Sequence, residues 1–205
     1  MLAFVLDFLF PSKCGFCNRL NKEGICAKCL QKLKVTEVSI VENYYENEMF
    51  AFEQHAYLFL YKDQIRRKII EFKFHDKPYL GKTFAKIMIK SKKICGFLQK
   101  YDIIVPVPMY VKKEKKRGYN QANLLAKEIT HQINIVSQTE GKQNDSLEPI
   151  QNIQYEPTIL KKIVDTKKQS TLNKQERMEN LKNAYKIVNA EKIKNNKIIL
   201  VDDIF

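Results

Sequence analysis

Four of the five cysteines lie within sixteen residues near the start of the sequence, with the spacing C-x2-C-x8-C-x2-C: Cys14, Cys17, Cys26 and Cys29. Each C-x-x-C turn can aim two thiolates at one point, and two such turns supply the four tetrahedral sulfur ligands that zinc prefers. Disulfides are the alternative, but nothing marks the chain as exported and disulfides are uncommon in the cytosol. A redox dithiol would need only one C-x-x-C turn. Because no coordination position is left open, the spacing predicts a structural zinc ion.

Further residues that could do chemistry lie where predicted strands end. Asp202 and Asp203 follow the buried-type strand 197–201, while Pro106 and Pro108 end a second strand rich in β-branched residues. In α/β sheets the functional residues lie at the carboxyl ends of the strands. An acidic pair can also be an ordinary turn, so the residues alone leave both interpretations open.

A basic stretch between these two strand ends is another candidate. It runs from Lys112 to Arg117 and leads into Gly118-Tyr119-Asn120-Gln121, where Asn120 is placed to cap a helix. The start of a helix is also an anion-binding position, because its backbone N–H groups are free. A basic run is otherwise a solvated loop, so contact with phosphate or nucleic acid stays an open alternative.

The apolar pattern predicts a scaffold of alternating strands and helices to position these residues. Strands are expected over 55–61, 102–108, 159–164 and 197–201, and helices over 63–72, 81–97, 120–133 and 173–184. This alternation predicts an α/β domain with a largely parallel sheet. The polar stretch 138–157 is predicted to be a surface loop. Residues 1–10 form an amphipathic segment that we expect to pack against the next domain, with membrane-surface binding as the alternative.

The overall composition limits the classes of function. The chain has 205 residues, with 36 Lys plus Arg against 23 Asp plus Glu, which gives a net charge of +13. Hydrophobic residues make up 44%, enough for a packed core, so a wholly disordered protein is excluded. The apolar N-terminal run is too short to span a bilayer and lacks signal-peptide features, so we expect a cytoplasmic protein. The positive charge indicates partners that carry phosphates, such as nucleic acid, or an anionic surface.

Five motifs in register resemble the ComF family, competence-associated proteins related to type I phosphoribosyltransferases. In chain order they are the cysteine module Cys14–Cys29, Val105-Pro106-Val107-Pro108, Arg117-Gly118-Tyr119-Asn120-Gln121, Gln169-x2-Leu172-x4-Arg177-x2-Asn180 and Ile199-Leu200-Val201-Asp202-Asp203-Ile204-Phe205. The resemblance implies a type I phosphoribosyltransferase-like α/β fold, with a mostly parallel sheet flanked by helices behind a zinc-ribbon-like module. The expected domains are an N-terminal helix and zinc-binding module over 1–34 and a phosphoribosyltransferase-like domain over 35–205.

The resemblance also implies a site for phosphoribosyl pyrophosphate and Mg²⁺, with the metal chelated by pyrophosphate and ribose oxygens. Asp202 and Asp203 match the acidic pair that holds the ribose hydroxyls in this superfamily, and they are the expected catalytic pair. The substrate-binding residues that the resemblance implies are Lys73, Pro106, Pro108, Arg117, Gln121, Gln169 and Arg177. A transferase of this kind would displace pyrophosphate from the anomeric carbon, and the acceptor is not indicated.

In the superfamily the acidic pair leads into a phosphate-binding loop, and this sequence ends at Phe205, where that loop would begin. We therefore expect either a fragment of a longer family member or a truncated protein with an impaired site, and catalysis is left open. The family name also implies a non-catalytic adaptor that handles single-stranded DNA beside a DNA-uptake helicase, at the inner face of the membrane. A truncated, inactive paralogue is the third alternative.

Overall fold

The structure is a computed structural model that describes residues 12–33, 39–42, 52–140, 152–167 and 169–204. Its helices are α1 (Ala27–Lys32), α2 (Asp63–Phe74), α3 (Tyr79–Ile89), α4 (Lys92–Leu98), α5 (Val111–Arg117), α6 (Gln121–Glu140) and α7 (Lys174–Leu181). Its strands are β1 (Ser39–Glu42), β2 (Gln54–Tyr57), β3 (Ile103–Pro106), β4 (Gln154–Tyr155), β5 (Leu160–Lys162), β6 (Tyr185–Ile187) and β7 (Ile198–Val201). The N-terminal segment 1–10, expected to pack against the next domain, lies outside the described residues.

A three-stranded parallel sheet with the order β4-β3-β7 forms the centre of the α/β domain. The central strand β3 is buried along its whole length, as its run of β-branched residues predicts. Ile103 pairs with Ile198 and Pro106 pairs with Val201, so β3 and β7 end at the same level. β1 with β2 and β5 with β6 form two separate antiparallel pairs. The predicted α/β class with a parallel sheet is confirmed.

Helix α6 packs on the sheet and, more extensively, on helix α3. Ala126, Ile129 and Ile133 are buried, and their spacing of three and four residues places them on one face of α6. The helices approach closely at Gly81, where an added Cβ would lie 3.3 Å from the Cβ of Leu124. Helix α6 therefore covers one side of the sheet, and α3 packs against α6.

The sequence predicted one helix over 81–97, and this prediction is wrong. The structure has two helices, α3 and α4, because the chain turns at Ser91 and starts again. The Ser91 hydroxyl accepts a hydrogen bond from the backbone N–H of Ile94 at 3.4 Å, which caps the new helix.

Two predicted loops contain regular structure. The basic run 112–117 lies in α5, which ends at Gly118, a residue with φ of +89° that suits the position after a helix. The predicted loop 138–157 begins inside α6 and also contains β4, which pairs with β3. None of the helices in the described part of the chain combines the length and apolar character needed to cross a membrane.

Candidate functional site

The four predicted zinc ligands come together in the structure. Their sulfur atoms all lie within 4.8 Å of one another, and Cys17 Sγ is 3.7 Å from Cys26 Sγ. Sulfur atoms at about 2.3 Å from a tetrahedral zinc ion are about 3.8 Å apart, which agrees with that separation. Cys14 and Cys29 are buried, whereas Cys17 is exposed. The donor set fits one zinc ion held entirely by protein sulfurs, which is the pattern of a structural site.

The local environment affects these thiols differently. Burial opposes ionisation of Cys14, but backbone N–H groups, with Cys26 first among them, outweigh burial and lower its pKa to about 6. The N–H of Cys26 donates to Cys14 Sγ at 3.4 Å. Burial and the hydrogen bonds of the neighbouring cysteines raise the pKa of Cys29. The backbone therefore stabilises one thiolate, and a divalent cation is needed to stabilise four.

The zinc module packs directly against helix α3. Thr83 of α3 donates a hydrogen bond from its hydroxyl to the carbonyl of Gly24 at 3.2 Å. A Cβ added at Gly15 would lie 2.6 Å from the same hydroxyl oxygen, so only glycine permits this approach. The rings of Phe16 and Phe84 meet edge to face, with centroids 6.3 Å apart. The module shares one continuous hydrophobic core with the α/β domain.

The second candidate site lies at the shared end of β3 and β7. The N–H of Val107 donates to the carbonyl of Val201 at 3.0 Å, so the segment with Pro106 and Pro108 runs beside the end of β7. The acidic pair follows Val201 directly. The structure thus brings the Pro106–Pro108 segment and the acidic pair together.

A lysine from a distant part of the sequence pairs with the acidic residues. Lys73 Nζ, near the end of α2, lies 2.6 Å from Asp203 Oδ2, and both side chains are largely buried. The N–H of Asp203 donates to Asp202 Oδ1 at 2.8 Å. Desolvation and the charge of Asp203 raise the pKa of Asp202 to about 7. Asp202 is solvent-exposed, so water reduces the effect of desolvation on its pKa. Repulsion by the negative charge of Asp203 is therefore the main remaining reason for the raised pKa.

The start of α6 faces the same sheet edge. Asn120 caps the helix by accepting from the N–H of Ala122 at 3.0 Å, and its amide donates to the carbonyl of Val107 at 3.0 Å. Gln121 is buried; it accepts from Arg117 at 2.6 Å and donates to the carbonyl of Lys73 at 3.5 Å. The predicted residues Arg117, Gln121 and Lys73 are therefore connected, and in this state the Gln121 side chain holds α6 to the end of α2.

Gln169 and Arg177, the other predicted substrate-binding residues, lie in the segment between β5 and β6. Arg177 Nε donates to the carbonyl of Gln169 at 2.9 Å and to that of Leu172 at 3.0 Å. Asn180 holds Lys167 through two hydrogen bonds to its backbone. The Gln169 side-chain amide is buried without a hydrogen-bond partner among the described residues. The contacts of Arg177 and Asn180 organise this segment, and a substrate-binding role for Gln169 and Arg177 stays a prediction.

A group of residues on β5, β6 and the following loop was not predicted from the sequence. Lys113 forms an ion pair with Asp165 at 2.7 Å, and the charge of Asp202 acts on both Lys162 and Tyr185. Lys113 itself donates to the carbonyl of Thr166 at 2.6 Å. The antiparallel pairing of β5 with β6 creates this group, and no motif in the sequence indicates that pairing.

The cysteine module and the whole chain are both similar to known proteins. A family model described as a double zinc ribbon domain matches residues 5–40, a stretch with four cysteines and no histidine. The chain is also similar to Competence protein F of Haemophilus influenzae, at 24% identity over 213 aligned positions that cover 95% of this chain and 85% of the relative. The resemblance to the ComF family is confirmed. No solved structure matches the chain.

In this ComF-like chain the sheet edge offers two kinds of ligand contact. The carboxylates of Asp202 and Asp203 are hydrogen-bond acceptors that can take hydroxyl donors. The ammonium group of Lys73 and the backbone at the start of α6 favour anionic groups. The arrangement can therefore bind a small molecule that carries both hydroxyl and phosphate groups. The zinc module contacts α3 at Thr83, whereas α6 contacts the same helix at Gly81. The module therefore supports the fold by packing against α3.

Proposed function

We propose that this chain is a competence-associated protein that binds phosphoribosyl pyrophosphate with Mg²⁺ at the shared end of β3 and β7. The competence role is supported by the likeness to Competence protein F along 95% of the chain. One observation carries the choice of ligand: the Asp202–Asp203 pair directly follows β7 and has Lys73 bound to it at 2.6 Å.

The proposed ligand suits the chemistry of this edge. Two adjacent carboxylates accept hydrogen bonds from the two neighbouring hydroxyls of a ribose. The salt bridge from Lys73 holds the Asp203 side chain in position at this edge. Mg²⁺ would be held chiefly by pyrophosphate and ribose oxygens and would neutralise the leaving group. Transfer of the phosphoribosyl group to an acceptor is the reaction that this ligand would support.

In the proposal, the pyrophosphate side of the ligand lies along the Pro106–Pro108 segment. The start of α6 adjoins this segment through the hydrogen bond from Asn120 to the carbonyl of Val107, and the positive end of its dipole favours phosphate. Arg117 is half-buried, with its guanidinium 5.2 Å from the centre of the Phe74 ring. In the proposal, Arg117 and Gln121 keep the start of α6 in position next to the ligand.

Calorimetric titration with phosphoribosyl pyrophosphate, with and without Mg²⁺, tests the proposal. We expect Mg²⁺-dependent binding that is lost in an Asp202→Asn, Asp203→Asn double variant. Asp63→Asn is the matched control, because Asp63 begins the helix that Lys73 nearly ends, about 15 Å away along its axis. Binding that is absent in the unaltered chain, or equally strong in the double variant, would contradict the proposal.

Single-stranded DNA is a second candidate ligand, favoured by the surface of α5. This helix contains four lysines and one arginine and has no buried residue, and the net charge of the chain is +13. Basic side chains on an exposed helix can neutralise a phosphate backbone. The DNA-uptake helicase expected from the family would be a partner in the same process, and its support is the resemblance alone.

Fluorescence anisotropy with a labelled oligonucleotide tests the second candidate. We expect binding at about 150 mM salt that weakens when Lys112, Lys115 and Lys116 are replaced by glutamine. Replacement of Lys28 and Lys32 of α1 is the control, since it removes positive charge from another helix. Binding that occurs only below about 50 mM salt would be nonspecific counterion release and would contradict a DNA-handling role.

A further inference from the structure

The last turn of α2 is held by a neighbouring element. The backbone ladder of this helix ends where the N–H of His75 donates to the carbonyl of Glu71 at 3.0 Å. Asp76 then has a φ of +50°, in the left-handed region where many helices end. A helix end leaves its last carbonyls without an intrahelical partner. The carbonyls of Phe72 and Lys73 therefore depend on donors from elsewhere.

The turn between α5 and α6 supplies these donors. The hydroxyl of Tyr119 donates to the carbonyl of Phe72 at 2.5 Å, and the side-chain amide of Gln121 donates to the carbonyl of Lys73 at 3.5 Å. The Tyr119 ring also stacks on the Phe72 ring, with the centroids 5.9 Å apart and an angle of 25° between the planes. Two side chains of one turn thus cap the C-terminus of α2, and the hydrogen bond from Tyr119 is the shorter of the two.

The capped turn carries the lysine of the proposed site. Lys73 Nζ lies 2.6 Å from Asp203 Oδ2, and only 21% of the lysine side chain and 12% of the aspartate side chain are exposed. A lysine side chain is long and flexible, so the position of its ammonium group depends on how firmly its backbone is held. A shift of about 1 Å at a supporting residue is enough to impair a binding or catalytic arrangement. The donors that fix this turn therefore also determine where Lys73 lies.

We propose that Tyr119 is a positioning residue for the ligand site: its hydroxyl fixes the last turn of α2 and thereby holds Lys73 against Asp203. The part of this inference that concerns ligand binding rests on the proposed function, whereas the coupling of Tyr119 to the ion pair does not. Tyr119 acts through the backbone of α2. Its hydroxyl should therefore matter to the ligand site only while Lys73 is present.

Urea unfolding of the full chain tests the coupling without any ligand. Tyr119→Phe removes only the hydroxyl and keeps the ring on Phe72, and it should lower the equilibrium constant for folding about two- to twelvefold, the range for one hydrogen bond. In a Lys73→Met chain the effect of the same substitution should be smaller by about twofold or more, since residues that share an interaction are not additive. Tyr155→Phe is the matched control: its hydroxyl is hydrogen-bonded to Asn123 of α6, and its effect should be the same with and without Lys73.

Titration with Mg²⁺ and phosphoribosyl pyrophosphate tests the role of Tyr119 at the ligand site. Lys73→Met should weaken binding, and Tyr119→Phe should weaken it about threefold to tenfold, because Lys73 is less firmly held. In the Lys73→Met chain, Tyr119→Phe should cause no further loss, a result that a general loosening of the fold would not produce. Tyr155→Phe should bind like the unaltered chain. A loss of affinity in Tyr119→Phe that is equal with and without Lys73 would overturn the inference, as would no loss at all.

The unfolding and binding measurements separate this inference from the proposed function. If phosphoribosyl pyrophosphate does not bind the unaltered chain, the proposed function is refuted, and unfolding alone decides whether Tyr119 positions Lys73. An effect of Tyr119→Phe on unfolding that is identical with and without Lys73 would overturn the inference in either case. If binding is lost in the Asp202→Asn, Asp203→Asn variant but is unaffected by Tyr119→Phe, the proposed function stands and the inference is wrong.

Discussion

Replacing Gly15 by alanine tests whether the zinc module and the α/β domain form one packed unit. The new Cβ would lie 2.6 Å from Thr83 Oγ1 and 2.9 Å from both Thr83 Cγ2 and Leu80 Cδ2. Leu80 is fully buried and Thr83 nearly so, so neither side chain can move aside easily. Overpacking of this kind costs about 1–3 kcal/mol.

Thermal unfolding of the zinc-loaded protein measures that cost. With a central value of about 2 kcal/mol and about 2–4 °C of Tm per kcal/mol for a chain of this size, Gly15→Ala should lower Tm by roughly 4–8 °C. The zinc content should stay at one ion per chain, because none of the clashing atoms is a ligand. Gly96→Ala is the control: nothing lies within 4 Å of the added Cβ, and alanine favours the helix. Its Tm should be unchanged or slightly higher.

A second variant tests the origin of the effect. Thr83→Ala removes two of the three closest atoms, so Gly15→Ala should cost much less in that background, apart from the remaining contact with Leu80. A Tm of Gly15→Ala equal to that of the unaltered protein would refute the packing argument. The same would be true of an equal Tm decrease with and without Thr83.

The other predictions concern the metal, a helix cap and the acidic pair. Cys29→Ser should abolish stoichiometric zinc binding and lower Tm, whereas Cys95→Ser should keep the zinc; metal analysis of both variants decides this. Asn173→Ala removes the capping box with Glu176 and should cost about 0.5–2 kcal/mol in urea unfolding, while Gln175→Ala should cost nothing comparable. The pKa of Asp202 is raised from 3.8 to about 7 in the folded chain, so stability should fall as pH rises between these values. Asp202→Asn should flatten that part of the pH profile, and an unchanged slope between pH 5 and pH 7 would contradict it.

The zinc ligands were predictable because their geometry is local. Each C-x-x-C turn brings two sulfurs together locally, only eight residues separate the two turns, and the four sulfurs lie within 4.8 Å of one another. The α/β class was predictable for a similar reason: the run Ile103–Val105 is apolar and β-branched throughout, as a strand covered on both faces must be. The break at Ser91 was not predicted because apolar residues continue at helical spacing on both sides of it. The periodicity therefore gave no sign that a new helix begins there.

The composition of the second site depends on contacts between distant parts of the chain. Lys73 and Asp203 are 130 positions apart in the sequence, and their 2.6 Å ion pair exists because α2 ends where β7 ends. The resemblance to the ComF family indicated both residues, but not that they are paired. Lys162 and Tyr185 were missed altogether, since their contact depends on the pairing of two three-residue strands. Such short strands have too little pattern to be recognised from sequence.

Helix α3 is the physical link between the metal and the proposed ligand site. Thr83 of α3 contacts the zinc module at Gly24, while Gly81 of the same helix allows the close approach of Leu124 on α6. The start of α6 in turn contacts the backbone of Lys73, the partner of the acidic pair. Loss of zinc would loosen the packing of α3 and, through it, the position of α6. Metal removal should therefore weaken ligand binding through packing, without any contact between the zinc ion and the ligand.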